Sequence, residues 1–243
     1  MKALRFKFVV ASSPLFMAIN VPIANYMIKH ANRYTEEERY HCALRIVRHL
    51  GRRSRTKTIC FGADKLPEGG YIMYSNHQGK YDALGIMLTH KKPCAMLWEE
   101  KSADRLVARQ VRGLVDGKTI NFTDYKGQIK ALSSIAEEVS KGRRYLIFPE
   151  GGYKDNKNNL QEFKSGCFAS SLKSKAPIVP VAIYDSWRAM DTNTFEKVTT
   201  QVHYLEPIYY EEYGSMKKKE ICDLVKSRIA EKLRELEQVA NAR

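Results

Sequence analysis

Paired cysteines are missing from this sequence. Its five cysteines, Cys42, Cys60, Cys94, Cys167 and Cys222, are scattered, odd in number and nowhere spaced as C-x-x-C. That argues against a zinc site or a disulfide framework and suits a reducing compartment, with free buried thiols as the plain reading. Acidic residues are also short: 27 Asp and Glu stand against 41 Lys and Arg, a formal net charge of +14. This balance favours anionic partners such as nucleic acid, lipid headgroups or acidic carrier proteins. No basic run carries a nucleic-acid reader motif or interleaved stacking aromatics, so no nucleic-acid partner is expected. No cluster of metal ligands is visible, and neither a metal nor a bound cofactor is expected. No repeat, low-complexity tract or linker divides the 243 residues. One domain with appendages is therefore the default.

One long stretch lacks charge. From Phe8 to Ile28 there is no formal charge, and Lys2, Arg5 and Lys7 precede it. The length approaches the ~20 residues of a membrane-spanning helix. Pro14, Asn20, Pro22 and Asn25 interrupt it, which disfavours a regular span. No small-residue cleavage site clearly follows. A kinked or paired helical anchor lying in one leaflet is the expectation; a single span, a buried helix and a signal segment are the alternatives. Downstream, Arg45 to Lys57 holds five arginines and one lysine. A solvated face is the bland reading, but the apolar stretch upstream favours attraction to anionic lipid. Residues 1–57 thus read as an N-terminal helical membrane-anchoring region, placing the protein at the cytoplasmic face of a membrane. Residues 58–243 form the main domain.

Within that domain strands alternate with helices. Strands are expected at Thr58–Phe61, Tyr71–Ser75, Cys94–Trp98, Thr119–Phe122, Tyr145–Phe148, Ile178–Ile183 and Lys197–Leu205. Helices are expected at Asp82–Thr89, Tyr125–Lys141, Gly166–Leu172 and Lys217–Val239, after one at Glu36–Leu50 whose apolar side holds Tyr40, Ala43, Leu44 and Val47. Gly142 reads as a helix stop. The pattern implies an α/β fold, a mostly parallel central sheet flanked by helices, with its crevice beyond the carboxyl ends of the strands.

Two apolar strands end abruptly in polar residues. One runs into Asn76-His77-Gln78-Gly79-Lys80-Tyr81-Asp82, the other into Pro149-Glu150-Gly151-Gly152. On one continuous helix His77 and Asp82 would be about 140° apart and could not meet. They meet if His77 lies in a strand-to-helix turn, freed by Gly79, and Asp82 in the first helical turn. A carboxylate on one ring nitrogen fixes the tautomer and raises the basicity of the other. Without a serine or cysteine of its own, such a base suits a reaction whose substrate hydroxyl is the nucleophile. In the plainer alternative Asp82 caps its helix and His77 is an ordinary turn residue; the spacing leaves both open.

Asn76, His77 and Asp82 match N-H-x-x-x-x-D; Phe148 to Gly151 match F-P-E-G; Phe163, Lys164 and Gly166 match F-K-x-G; Ala176 to Ala182 match an apolar motif containing V-P. In this order and spacing, from Gly70 to Ile183, the chain resembles the glycerolipid acyltransferases typified by lysophosphatidic acid acyltransferase. The resemblance makes 58–243 an acyltransferase domain. It implies that His77 deprotonates an acceptor hydroxyl, that Asp82 holds the histidine, and that Asn76, Lys80, Glu150, Gly151 and Gly152 bind substrate. It also implies a lysophospholipid acceptor and a donor that is an acyl-CoA or acyl carrier protein thioester. Two departures stand out. The family's Thr-Arg after F-P-E-G is Gly152-Tyr153 here, and an arginine expected after the strand near Ile120 is replaced by Thr123. Lys80, Lys118, Lys126, Lys154 and Arg109 are candidate substitutes, though lysine lacks the planar fork of arginine. A different lysophospholipid acceptor, a thioesterase and a non-catalytic lipid-binding homologue are the alternatives.

Overall fold

The computed structural model describes residues 4–105 and 107–242. Lys2, part of the expected anchor, lies outside them. The chain opens with two short helices, α1 (Leu4–Ala11) and α2 (Pro14–Lys29), bent by 77° at the break between them. The break falls at Ser12-Ser13. Pro14 sits in the first turn of α2, where a missing N–H costs nothing. Pro22 was expected to interrupt the segment, but α2 passes through it. The polarity of Asn20 is absorbed locally, its amide donating to the Phe16 carbonyl at 2.8 Å. Among the described residues no single helix is long and apolar enough to cross a membrane; the bent pair passes by length and composition only when taken together.

Arg5 overturns its reading as a basic flank. It is 1 % exposed. Its guanidinium donates to the carbonyls of Ser54, Glu196 (2.8 Å) and Thr194 (3.2 Å). A buried cation needs such acceptors, and here they rivet α1 to the body of the protein.

Helix α3 (Glu36–Arg53) starts at a capping box: Thr35 Oγ1 accepts from Glu38 N–H at 3.2 Å, and the Glu38 carboxylate accepts from Thr35 N–H at 2.7 Å. Tyr40, Ala43, Leu44 and Val47 are buried, as the periodicity predicts, while Arg45, Arg48 and Arg52 face outward. Then follow β1 (Thr56–Phe61), β2 (Tyr71–Ser75), α4 (Asp82–Thr89), β3 (Ala95–Glu99), α5 (Glu100–Ala103), α6 (Ala108–Leu114), β4 (Lys118–Ile120), α7 (Tyr125–Ser140) and β5 (Arg144–Ile147). The chain finishes with α8 (Ala169–Ser174), β6 (Ile178–Tyr184), β7 (Val198–Tyr204), α9 (Tyr210–Tyr213) and α10 (Lys218–Asn241). Gly142 closes α7 at φ 96°, a conformation glycine adopts freely.

The strands form one sheet in the order β1-β7-β6-β2-β5-β3-β4. All pairings are parallel except β6 with β7, so β1 and β7 run against the others. The expected mostly parallel sheet is present. The central strands β2 and β6 are buried at every residue, as strands covered on both faces must be. One core holds Val47, Met73, Leu146 and Val181. The other holds Ile135, Ile147, Ile178 and Val225 beneath α7 and α10. Val9, Met17, Ala24 and Met27 of α1 and α2 belong to the first core. The N-terminal pair is therefore packed into the body. Its other side is open: Leu15, Ile19, Ile23 and Tyr26 of α2, with Leu4 and Phe8 of α1, are exposed.

Candidate active site

Strands β2 and β5 are neighbours, with Tyr71 opposite Arg144 and Tyr74 opposite Ile147. Both polar segments therefore emerge side by side at the carboxyl edge of the sheet. Asn76 leaves β2 by extending its ladder toward β6. Its amide donates to the Ile183 carbonyl at 3.0 Å and its Oδ1 accepts from Ile183 N–H at 2.8 Å. At 1 % exposure, with both amide ends engaged, Asn76 is placed to hold the turn rather than to contact a substrate.

His77 and Asp82 come together. His77 Nδ1 lies 2.6 Å from Asp82 Oδ2, and that oxygen also accepts from Gln78 N–H (2.5 Å) and Gly79 N–H (2.9 Å). Asp82 is the first residue of α4 but turns back to lock the loop before it, and among the described residues neither of its oxygens accepts an N–H of α4. Its other oxygen, Oδ1, is buried with no partner among the described residues. The carboxylate fully buried beneath it orients an imidazole whose own side chain is 19 % exposed. Phe148 stacks on the ring at 4.3 Å and Tyr153 meets it edge-on at 4.8 Å, which narrows its orientation. No hydrogen bond among the described residues engages Nε2, the nitrogen left to act.

Glu150 ties the two strand ends together. Oε1 accepts from His77 N–H at 3.1 Å and Oε2 from the Gln161 amide at 2.5 Å. Burial pushes its carboxyl above the ordinary range, against the pull of these donors. Gly151 and Gly152 follow at φ 70° and 147°, where a side chain would be strained. A Cβ on Gly151 would lie 2.7 Å from Lys164 Nζ and 3.0 Å from the Phe122 ring; the Lys164 ammonium rests 3.8 Å from the centre of that ring. This brings F-K-x-G against F-P-E-G.

Sequence reasoning missed a ring of side-chain amides. Gln78 accepts from Ser186 N–H at 2.9 Å and donates to the Ile183 carbonyl at 2.9 Å and to Asn158 at 3.0 Å. Asn156 donates to the His77 carbonyl at 2.9 Å, and Gln161 also reaches the Gly152 carbonyl at 2.7 Å. The partners named for Gln78 and Asn156 lie about 80 or more residues away, and those of Gln161 nine and eleven, so no local pattern marks them.

The candidate cations separate. Lys80 is paired with Asp191, which also accepts Lys80 N–H at 2.8 Å. Its ammonium lies 5.6 Å from the ring of Phe6, in α1, and 5.7 Å from that of Tyr153. Lys118 is paired with Glu138 at 2.7 Å. Thr123 turns onto Asn121 Oδ1, its hydroxyl at 2.7 Å and its N–H at 3.0 Å. Lys164, not among the candidates, stands nearest Gly151.

Known proteins resemble this chain in sequence and in fold. The 1-acyl-sn-glycerol-3-phosphate acyltransferase of Salmonella typhimurium is 27 % identical over 180 residues, covering 72 % of each chain. The protein of that name from Escherichia coli is 27 % identical over 174 residues, covering 70 % of this chain and 69 % of its own. The fold is that of the crystal structure of the 1-acyl-sn-glycerophosphate acyltransferase PlsC from Thermotoga maritima, at a TM-score of 0.72 and 17 % identity, over 96 % of this chain and 94 % of that one. The model of the Acyltransferase family matches residues 57–184, from the second residue of β1 through the end of β6. A match that encloses both polar strand ends and more than half of the sequence leaves one assignment: the chain belongs to the acyltransferase family.

Proposed function

We propose that this acyltransferase moves a fatty acyl group from a thioester, carried by coenzyme A or acyl carrier protein, to the hydroxyl of a glycerolipid resembling lysophosphatidic acid. One observation carries the reading: an imidazole fixed through Nδ1 by a buried carboxylate, with Nε2 free at the carboxyl edge of the sheet. In the proposed step Nε2 takes the proton of the acceptor hydroxyl as its oxygen attacks the thioester carbonyl. The C–O bond forms, the C–S bond breaks, and the imidazolium returns the proton to the departing thiolate. Asp82 stabilises the imidazolium. Glu150 and Asn76 hold the strand ends in register around the base, and the Gly151-Gly152 turn faces the acceptor's phosphate.

A membrane setting suits an amphiphilic acceptor. Leu15, Ile19, Ile23 and Tyr26 form an exposed apolar stripe on α2, which supports immersion of the bent pair in one leaflet at the cytoplasmic face. A second reading concerns the acceptor alone: Gly152, Tyr153 and Thr123 supply no guanidinium, which favours a lysophospholipid other than lysophosphatidic acid. The test is a screen of labelled thioester against a panel of lysophospholipids, with the His77→Ala protein alongside. Acceptor-dependent ester formation that His77→Ala abolishes supports the reading. Acyl release that no acceptor alters would replace it with a thioesterase, and inertness toward every donor with a non-catalytic homologue.

A further inference from the structure

Helices α2 and α3 flank an open cleft of about 540 Å³ that shares no residue with the site around His77. Phe16 and Met27 of α2 supply an apolar wall; His41, Arg45, Arg48 and Arg52 of α3 supply a polar one. The arginines fall three and four residues apart, on one face of the helix. None has a carboxylate partner among the described residues; Arg45 reaches only the Cys42 sulfur, at 3.6 Å. Glu38, the acid at the rim, is committed to capping α3 through Thr35. Like charges lined up on one face repel, and an anion among them would relieve that cost.

The floor is built. His49 stacks on Phe16 at 3.7 Å, nearly parallel, and hydrogen-bonds Ser13 Oγ at 2.8 Å. Burial, then Arg53 and Arg52, hold its ring below the ordinary histidine range, so the positive charge belongs to the arginines. Beside the cavity, Leu15 and Ile19 are 74 % and 53 % exposed. Three guanidinium groups thus stand on one side of a cleft whose other side is apolar and adjoins the face assigned to the bilayer.

We infer that this cleft is a binding site for one anionic phospholipid of the bilayer. The phosphate would be held by Arg45, Arg48 and Arg52, and the acyl chains would run along Phe16 onto the Leu15–Ile19 stripe. Guanidinium forks match phosphate oxygens, and the apolar wall separates this from a site for free phosphate. The bound lipid would fix the depth and tilt of α2, so that the enzyme engages best where acidic lipid is abundant. The inference rests on the membrane side proposed for α2, but its decisive test needs no membrane.

The full chain is titrated calorimetrically with dihexanoyl phosphatidylglycerol below its micelle concentration, with dihexanoyl phosphatidylcholine, and with inorganic phosphate. Wild type should bind the phosphatidylglycerol about tenfold or more tighter than the other two. The triple variant Arg45→Gln, Arg48→Gln, Arg52→Gln should lose that preference, and His41→Glu, which places a carboxylate in the cleft, should weaken it. The variant Lys217→Gln, Lys218→Gln, Lys219→Gln, at the start of α10 on the opposite face of the sheet, should retain it. Three results would overturn the assignment: no loss in the arginine variant, an equal loss in the lysine variant, or inorganic phosphate binding as tightly as the lipid. Sedimentation with neutral and anionic vesicles separates the underlying reading. Wild type that ignores both kinds removes the membrane side, whereas binding that the arginine variant leaves intact removes only the lipid site.

Discussion

The side chain of Asn76 exchanges two hydrogen bonds with the backbone of Ile183, at 3.0 and 2.8 Å, as if β2 ran one residue further. The turn that carries His77 starts from this clamp. Asn76→Ala leaves the buried Ile183 N–H unpaired, at a cost of about 1–3 kcal/mol. The expected outcome is a lower urea midpoint with an unchanged slope, together with reduced turnover as His77 loses its seat. An unfolding curve that superimposes on wild type would show that the clamp is dispensable.

His77→Ala should lower turnover by roughly 10²–10⁴-fold, the usual contribution of a general base. Among the described residues the ring has no hydrogen bond beyond that to Asp82, so the fold should hold and circular dichroism should match wild type. Near-normal turnover in the folded variant would remove His77 from the mechanism.

Asp82→Asn should be nearly as damaging. The oxygen that orients the ring also accepts two backbone N–H groups; an amide oxygen can take its place, but it carries no full charge to stabilise an imidazolium, and its N–H₂ would occupy the buried Oδ1 position, which has no partner among the described residues. A fall of roughly 10²-fold or more in turnover is expected. On the proposed mechanism acceptor KM should change far less than kcat, because Asp82 contacts the imidazole of His77.

The acceptor test is kinetic. Lys80 and Lys118 are bound to carboxylates, and Tyr153 stands where the resemblance implies an arginine. A weak KM for lysophosphatidic acid, or a preference for a lysophospholipid whose phosphate is a diester, is therefore expected from steady-state measurements on both. A clear preference for lysophosphatidic acid at micromolar concentrations typical of enzymes would mean that these substitutions are neutral.

Stability should fall in mild acid. His90 is buried and hydrogen-bonded to Tyr71 at 2.6 Å, and burial lowers its pKa to about 4. Its unfolded counterpart titrates near 6.5. Above that value both states are neutral and the full stability is present. As pH falls from about 6.5 toward 4, only the unfolded state gains the proton, so up to ~3 kcal/mol is lost. His203 is lowered in the same direction by burial. Urea unfolding at pH 7 and pH 5 measures the effect, and His90→Gln should flatten it. An equally steep dependence in that variant would place the acid sensitivity elsewhere.

Legibility followed the range of the interactions. β2 and α4 fall where the sequence placed them, because an unbroken apolar run and a sharp polar stop are local signals. The alternation of strands with helices was enough for the mostly parallel sheet. The reversal of β1 and β7 was not legible, since it depends on which edge a strand joins. Helices α5 and α6 were missed: residues 100–114 mix charges and apolar positions without a clean period. The pairing of His77 with Asp82 could be stated only as a condition on the turn between them. The roles of Gln78, Asn156 and Gln161 depend on partners that no spacing reveals. Nothing beside Arg5 announces the three carbonyls it serves, which lie about 50 and 190 residues away in sequence.

The adjacency of Arg5 and Phe6 has a practical consequence. Arg5 fastens α1 to the loop before β7, and the next residue lays its ring near the ammonium of Lys80, three positions from His77. Deleting the first thirty residues to obtain a more soluble protein would strand three backbone carbonyls and remove the ring beside Lys80 in the same stroke. Any loss of turnover in such a shortened enzyme would then be misassigned to detachment from lipid. Leu15→Asp with Ile19→Asp, which alters only the outward stripe, is the cleaner way to ask what the bilayer contributes.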